Sequence, residues 1–213
     1  MDSEEQTLAY AEAEFEESNE LFATKLLELF TDLPEHGHLA DLGCGPADIC
    51  IRISQRLSGW LITGIDAGVN MLRRARAAVL NVGLDDRINL RHAYLPDTGL
   101  GKQAFDAITS NSLLHHLPDP MTLWNSALQL GKSGAPVMVM DLARPADEHE
   151  ATRLVDTYAT DAPPILKEDF YNSLLAAYTL DEVEEQLQRA SLPHFSVLRP
   201  SDRHWLVAGR LPA

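Results

Sequence analysis

Residues 39–45 read Leu39-Ala40-Asp41-Leu42-Gly43-Cys44-Gly45, a short apolar run ending in an acid and two glycines one apart. Further on, Leu61-Ile62-Thr63-Gly64-Ile65-Asp66 is a second apolar run that ends in a carboxylate. The pair describes a strand, a tight glycine turn, a helix and a second strand whose terminal acid faces the turn. Gly43 and Gly45 lack Cβ, so the backbone there can take positive φ and approach a ligand closely. The Asp66 carboxylate can accept hydrogen bonds from both vicinal hydroxyls of a ribose, which makes the pair a nucleoside site.

Which nucleoside is a matter of charge. A dinucleotide site favours G-x-G-x-x-G, with a pyrophosphate at the helix N-terminus. Here the turn continues Gly43-Cys44-Gly45-Pro46-Ala47-Asp48, and Asp48 stands where the third glycine would be. A carboxylate beside a pyrophosphate is repulsive. Asp41 adds a second acid, which suits a ligand carrying an ammonium group. S-adenosylmethionine has that ammonium, a ribose and a sulfonium.

Several stretches then follow in order: Gly64-Ile65-Asp66 with Met71-Leu72, Phe105-Asp106-Ala107-Ile108-Thr109-Ser110-Asn111, and Leu114-His115-His116-Leu117-Pro118-Asp119-Pro120. With the glycine turn they make residues 37–142 resemble the class I S-adenosylmethionine-dependent methyltransferases, especially the small-molecule branch similar to the ubiquinone-biosynthesis methyltransferases. The resemblance implies that Asp41 and the loop Gly43-Cys44-Gly45 hold the methionine part, that Asp66 holds the ribose, and that Ala67 and Met71 border the adenine. After the third strand the family often has an acid for the adenine amino group. This chain has His92 and Ala93 there, so that contact must come from elsewhere or from backbone. Ser110, Asn111 and Ser112 end the fourth strand, where the family closes over the methionine and the departing methyl.

A chain of 213 residues is long enough for one α/β domain with a sizeable core. No apolar stretch approaches the ~20 residues that span a bilayer, and the acidic start Met1-Asp2-Ser3-Glu4-Glu5 is unlike a signal peptide, so a cytoplasmic protein is expected. Cys44 and Cys50 fit neither a zinc pattern nor a disulfide framework, and no metal is expected. With 17 basic against 32 acidic residues, net −15, the chain is poorly suited to neutralising phosphates. The densest basic cluster, Arg73-Arg74-Ala75-Arg76, falls on a helix of the cofactor half. A small-molecule acceptor is therefore expected, with neither nucleic acid nor membrane as partner.

Strands are expected at 38–42, 60–65, 87–92, 104–109 and 135–141, with helices at 47–57, 68–82 and 120–131 between them. The alternation predicts a Rossmann-like, doubly wound sheet with right-handed crossovers. Runs at 194–198 and 204–211 complete seven strands; by resemblance the last is antiparallel. Residues 1–36 are read as an N-terminal helical lid, with Phe15, Leu21, Phe22, Leu26, Leu29 and Phe30 at helical spacing and Tyr10 looking inward. Residues 37–213 form the methyltransferase domain. Within it 143–178 is an insertion over the carboxyl edge of the sheet, where Arg144, Tyr171 and Tyr178 are candidate substrate contacts. Thr179 and Glu182 form a capping box for the helix that follows.

Methyl transfer is an in-line displacement at a sulfonium carbon, so the protein supplies alignment and, for a protic acceptor, a base. His115 and His116 follow the fourth strand and are the candidates for that base; the resemblance implies a loop-orienting role as the alternative for His116. Asp119 reads as a helix cap, and Arg203 with His204 as residues of a turn or, alternatively, of the pocket rim. Arg144 could anchor an anion or pair with one of the many acids. Two further classes stay open: a non-catalytic module that binds S-adenosylmethionine or S-adenosylhomocysteine and regulates a partner, and a nucleotide-dependent oxidoreductase or epimerase, against which Asp48 argues.

Overall fold

The computed structural model describes residues 16–213. In chain order the elements are α1 (Glu16–Leu29), β1 (Gly37–Leu42), α2 (Asp48–Arg56), β2 (Trp60–Asp66), α3 (Val69–Asn81), β3 (Ile88–His92), β4 (Ala107–Asn111), a short 3-10 turn (Leu114–His116), α4 (Met121–Leu130), β5 (Pro136–Leu142), α5 (Glu148–Tyr158), α6 (Pro164–Ala176), α7 (Leu180–Arg189), β6 (Ser196–Leu198) and β7 (His204–Arg210). They build one seven-stranded sheet in the order β3-β2-β1-β4-β5-β7-β6. The pairings from β3 across to β5 are parallel, and β7 runs antiparallel to both β5 and β6.

Period-two alternation sorts the strand residues between two helical layers. On β5, which is buried throughout, Val137 and Val139 join the core under α4 and α7, around Trp124, Val183 and Leu187. Met138 and Met140 face the opposite layer, where α1, α2 and α3 contribute Phe22, Leu26, Ile53, Leu72 and Val79. Helices therefore cover both faces, as the apolar character of the central strands requires. The order also turns back at β1, because the chain goes from β1 outward to β3 and then returns to β4. Ligands bind at that switch point, outside the carboxyl ends of the strands.

Local chemistry explains most of the boundaries. The Thr179 hydroxyl accepts from the Glu182 N–H at 3.3 Å while the Glu182 carboxylate accepts from the Thr179 N–H at 2.8 Å, the reciprocal box that the sequence predicts. Asp119 accepts from the Met121 N–H at 3.0 Å and so caps the start of α4. The fourth strand starts three residues and ends two residues later than the expected 104–109. Asp106 there turns its carboxylate back to the His38 N–H, 2.9 Å away, and takes an ion pair from Lys132, leaving Phe105 only an isolated bridge to Gly131. The insertion 143–178 is two helices, α5 and α6, which close a small core of their own around Leu154, Val155 and Leu174. Tyr10 and Phe15 lie outside the described residues. Among the described residues no helix is long and apolar enough to cross a membrane.

Candidate active site

The loop between β1 and α2 is built for close approach. The N–H groups of Gly43 and Cys44 both donate to the Ile65 carbonyl, at 2.8 and 3.0 Å, which ties the loop to β2. Gly43 has φ +73°, and a Cβ there would meet the Leu113 side chain at 2.7 Å; both backbone conformation and packing demand glycine. Gly45 has φ +51°, and among the described residues nothing beyond its chain neighbours lies within 4 Å of where its Cβ would be. That open side leaves room for a ligand.

Asp66 ends β2 beside this opening. One carboxylate oxygen accepts the Gly45 N–H at 2.8 Å and the other accepts the Gly68 N–H at 2.7 Å, so the acid is held between the glycine loop and the start of α3. The two backbone donors fix the direction of this carboxylate beside the loop.

Two acids near the loop have protein partners that the sequence does not announce, Asp41 being the first. It is 1% exposed and turned beneath the loop, where it accepts from the Thr109 hydroxyl at 2.9 Å and the Cys50 thiol at 3.3 Å. Burial, only partly offset by these two donors, raises its carboxyl to about 6. Its part is to brace β1 against β4 and α2 under the loop. Asp48, expected to repel a pyrophosphate, is already neutralised. Its carboxylate accepts from Arg52 and from the Asn19 side chain, both at 2.7 Å. The cause is tertiary, since α1 packs across α2 and also brings Glu20 to Arg52 and Arg56.

The same helix reaches the end of β4. The Asn111 amide donates to the Asn19 side-chain oxygen at 3.2 Å, and the Asn111 side-chain oxygen is buried with no partner among the described residues. An orphaned acceptor of this kind calls for a donor from elsewhere. Ser112 follows at φ +55° with its N–H on the Met140 carbonyl, and this sharp turn sends the chain into the 114–116 turn. On the other side of Asp66, the His92 imidazole contacts the Ala67 carbonyl at 3.0 Å, the Ala93 N–H donates to the Asp66 carbonyl at 3.1 Å, and Met71 is buried with 6% exposure. Tyr94, which the sequence reading passed over, stands 65% exposed beyond them with its ring 5.8 Å from that of His92.

Beyond β4 the two histidines divide. The His115 ring is nearly sealed from solvent, and its Nδ1 lies 2.5 Å from one carboxylate oxygen of Asp141, the penultimate residue of β5. Asp141 is 1% exposed, and its carboxylate also accepts the backbone N–H groups of Leu142 and His115. Sequence reading missed Asp141 because nothing marks one acid within an apolar strand as a partner for a histidine 26 residues earlier. His116 lies at the surface with its ring centroid 3.9 Å from that of His115. Desolvation, then the neighbouring imidazole, hold it below the usual histidine range.

The candidate substrate contacts separate in the same way. Tyr178 is drawn to the end of β5 by a bridge with Ala143, and burial raises its phenol, with Glu182, Asp119 and Asp141 adding to the effect. Arg144, offered as an anion anchor, is instead ion-paired with Glu182 of the capping box. Tyr171 packs against the small core of α5 and α6. His204, expected in a turn, is buried with its Nδ1 2.8 Å from the Ser201 hydroxyl, and burial lowers it to about 4. Its neighbour Arg203 is stacked on Tyr158.

The residues present fit S-adenosylmethionine. The Gly43–Gly45 opening and the orphaned Asn111 oxygen suit the methionine part with its ammonium, the fixed Asp66 carboxylate suits the ribose, and Ala67, Met71, His92 and Ala93 form a half-apolar edge for the adenine. No carboxylate stands among the last four, so the adenine would be met by backbone and apolar surface.

A sheet of this order, with a glycine loop and an acid at its switch point, is the fold of the class I S-adenosylmethionine-dependent methyltransferases, which the chain resembles. Residues 39–134 match the family model described as a methyltransferase domain. An uncharacterized methyltransferase of Mycobacterium tuberculosis (strain ATCC 25618 / H37Rv) is 27% identical over 176 residues, covering 81% of this chain and 86% of that protein. The ubiquinone biosynthesis O-methyltransferase of Saccharophagus degradans is 31% identical over 107 residues, 50% of this chain and 44% of that one. In overall fold the chain is similar to a S-adenosylmethionine-dependent methyltransferase from Aquifex aeolicus, with a TM-score of 0.73 at 17% identity over 98% of each chain. It is also similar to the plantazolicin methyltransferase BpumL in complex with S-adenosylhomocysteine, with a TM-score of 0.68 at 17% identity over 91% of this chain and 84% of that one.

Proposed function

We propose that this methyltransferase alkylates a protic atom (oxygen, nitrogen or sulfur) of a small metabolite, with His115 as general base. The observation that carries the proposal is the His115–Asp141 pair at the carboxyl ends of β4 and β5. Bound at the Gly43–Asp66 side, S-adenosylmethionine would supply an electrophilic methyl on a positively charged sulfur. His115 Nδ1–H is donated to Asp141, which leaves Nε2 as the acceptor and stabilises the imidazolium that forms. As the acceptor atom attacks the methyl carbon, its proton passes to Nε2 and later to solvent. Positioning supplies most of the rate, and such a base contributes a further 10²–10⁴-fold at about neutral pH.

Residues 1–36 are proposed as the lid over this edge, supported by α1, whose Asn19 touches both Asn111 and Asp48. Residues 37–213 form the catalytic domain under this reading. The net charge of −15 supports a partner other than nucleic acid. A cytoplasmic, reducing setting is supported by Cys44 and Cys50, which are both free thiols. The test has two arms. Calorimetric titration with S-adenosylhomocysteine must give saturable binding, and mass spectrometry of a metabolite extract incubated with methyl-labelled cofactor must show a product one labelled methyl heavier. Binding without any product would favour the regulatory module.

A further inference from the structure

The turn before β7 carries a cation whose surroundings suit an anion from outside the protein. Because β7 runs antiparallel to β5, its first residues lie at the carboxyl edge of the sheet, on the same side as the glycine loop. The Ala143 N–H donates to the Arg203 carbonyl at 2.8 Å, which pins Arg203 directly beyond the end of β5. Trp205, two residues on, is the register partner of Asp141.

The side chain of Arg203 is only 11% exposed, and its guanidinium lies 3.5 Å over the ring of Tyr158. The Tyr158 hydroxyl is fixed in turn by both carboxylate oxygens of Asp202, at 3.0 and 2.9 Å. The guanidinium plane is therefore set by its neighbours before any ligand arrives. Its own carboxylate contacts are long: 3.5 Å to Asp202 and 3.8 Å to Glu17, the latter 84% exposed. A well-formed guanidinium–carboxylate pair closes to about 2.7–2.9 Å, often through two parallel bonds. Glu17 stands two residues before Asn19 on α1, and Asn19 contacts Asn111 at the cofactor side. Arg203 and Asn111 thus flank one end of the same helix.

We infer that Arg203, stacked on Tyr158, is the anchor for a carboxylate on the methyl acceptor, which displaces Glu17 and receives the guanidinium fork. Arg144, another cation at this edge, is paired with Glu182, and Arg153 beside Asp202 is paired with Glu150. The acceptor class is then an organic acid, held so that a separate protic nucleophilic atom lies near His115. This inference rests on the transferase reading above.

The test divides a metabolite extract into two halves, one with its carboxyl groups converted to amides by carbodiimide and ammonium, and incubates each with methyl-labelled S-adenosylmethionine and the full-length protein. The untreated half should be labelled and the amidated half labelled roughly tenfold less or weaker, with Arg203→Gln lowering labelling of the untreated half by a similar factor and Arg203→Lys by less. Affinity for S-adenosylhomocysteine should stay within about twofold in both variants, which separates loss of the anchor from loss of the fold. Equal labelling of the two halves, or wild-type labelling by Arg203→Gln, overturns the assignment. No labelling of either half while S-adenosylhomocysteine binds overturns the transferase reading itself, and the role of Arg203 with it.

Discussion

Asp141 holds the Nδ1 edge of His115 at 2.5 Å, joining a residue of the turn after β4 to the end of the neighbouring strand. Both side chains are nearly sealed from solvent, and the carboxylate is further satisfied by two backbone N–H groups. The pair fixes both the tautomer and the direction of the imidazole.

If His115 takes the acceptor proton, His115→Gln should lower kcat by about 10²–10⁴-fold with little change in affinity for S-adenosylhomocysteine. Asp141→Asn should lower kcat through the wrong tautomer. Steady-state kinetics with the identified acceptor is the check, and an unchanged kcat in both variants would assign the pair to loop structure alone.

Asp66→Ala should weaken S-adenosylhomocysteine binding by about 1.5–3 kcal/mol, the range for hydrogen bonds to a charged group. Calorimetry measures this directly. Unaltered affinity would place the ribose elsewhere.

Gly45→Ala and Gly43→Ala should differ in kind. At Gly45 the added Cβ meets nothing among the described residues beyond its chain neighbours, so stability should fall only by the roughly 1–2 kcal/mol of left-handed strain, while S-adenosylhomocysteine affinity should fall more steeply as the methyl enters the ligand's space. At Gly43 the same strain is joined by a contact at 2.7 Å with Leu113, so stability should fall further. Urea unfolding and calorimetry on both variants make the comparison.

The raised carboxyl of Asp41 gives a pH signature of the opposite sign to that of an ion-paired acid. Its folded value of about 6 lies above the ordinary 3.8, so this group's contribution to stability is complete below pH 3.8 and is lost as pH rises through 6. A shift of that size corresponds to roughly 3 kcal/mol. The stability of Asp41→Asn relative to the native chain should therefore rise between about pH 4 and 6 and level off above. Urea midpoints at several pH values would reveal it; a constant difference would show that the thiol and hydroxyl on Asp41 stabilise its charged form fully.

Much of the fold was legible because it is written in local terms. The glycine pair, the acids that end two apolar runs, the period of the helices and the Thr179–Glu182 box each act within a few residues, where spacing fixes geometry. The antiparallel last strand followed from the family resemblance and agrees with the structure. The start of the fourth strand was misplaced by three residues because Asp106 chose a partner on β1, a choice that local pattern does not carry.

The sequence by itself determined that a glycine loop and a ribose acid would meet at a switch point, since both lie at strand ends whose chain order forces them together. Which charges remain open there was decided only by the tertiary structure. Asp41 was turned under the loop, Asp48 was neutralised by α1 and Arg52, and Arg144 was taken by Glu182. Asp141 was brought to His115, and Arg203 was laid on Tyr158. The physical reason is the same throughout. A charge acts over a few ångströms, and the residues that come within that distance belong to elements far apart in the chain.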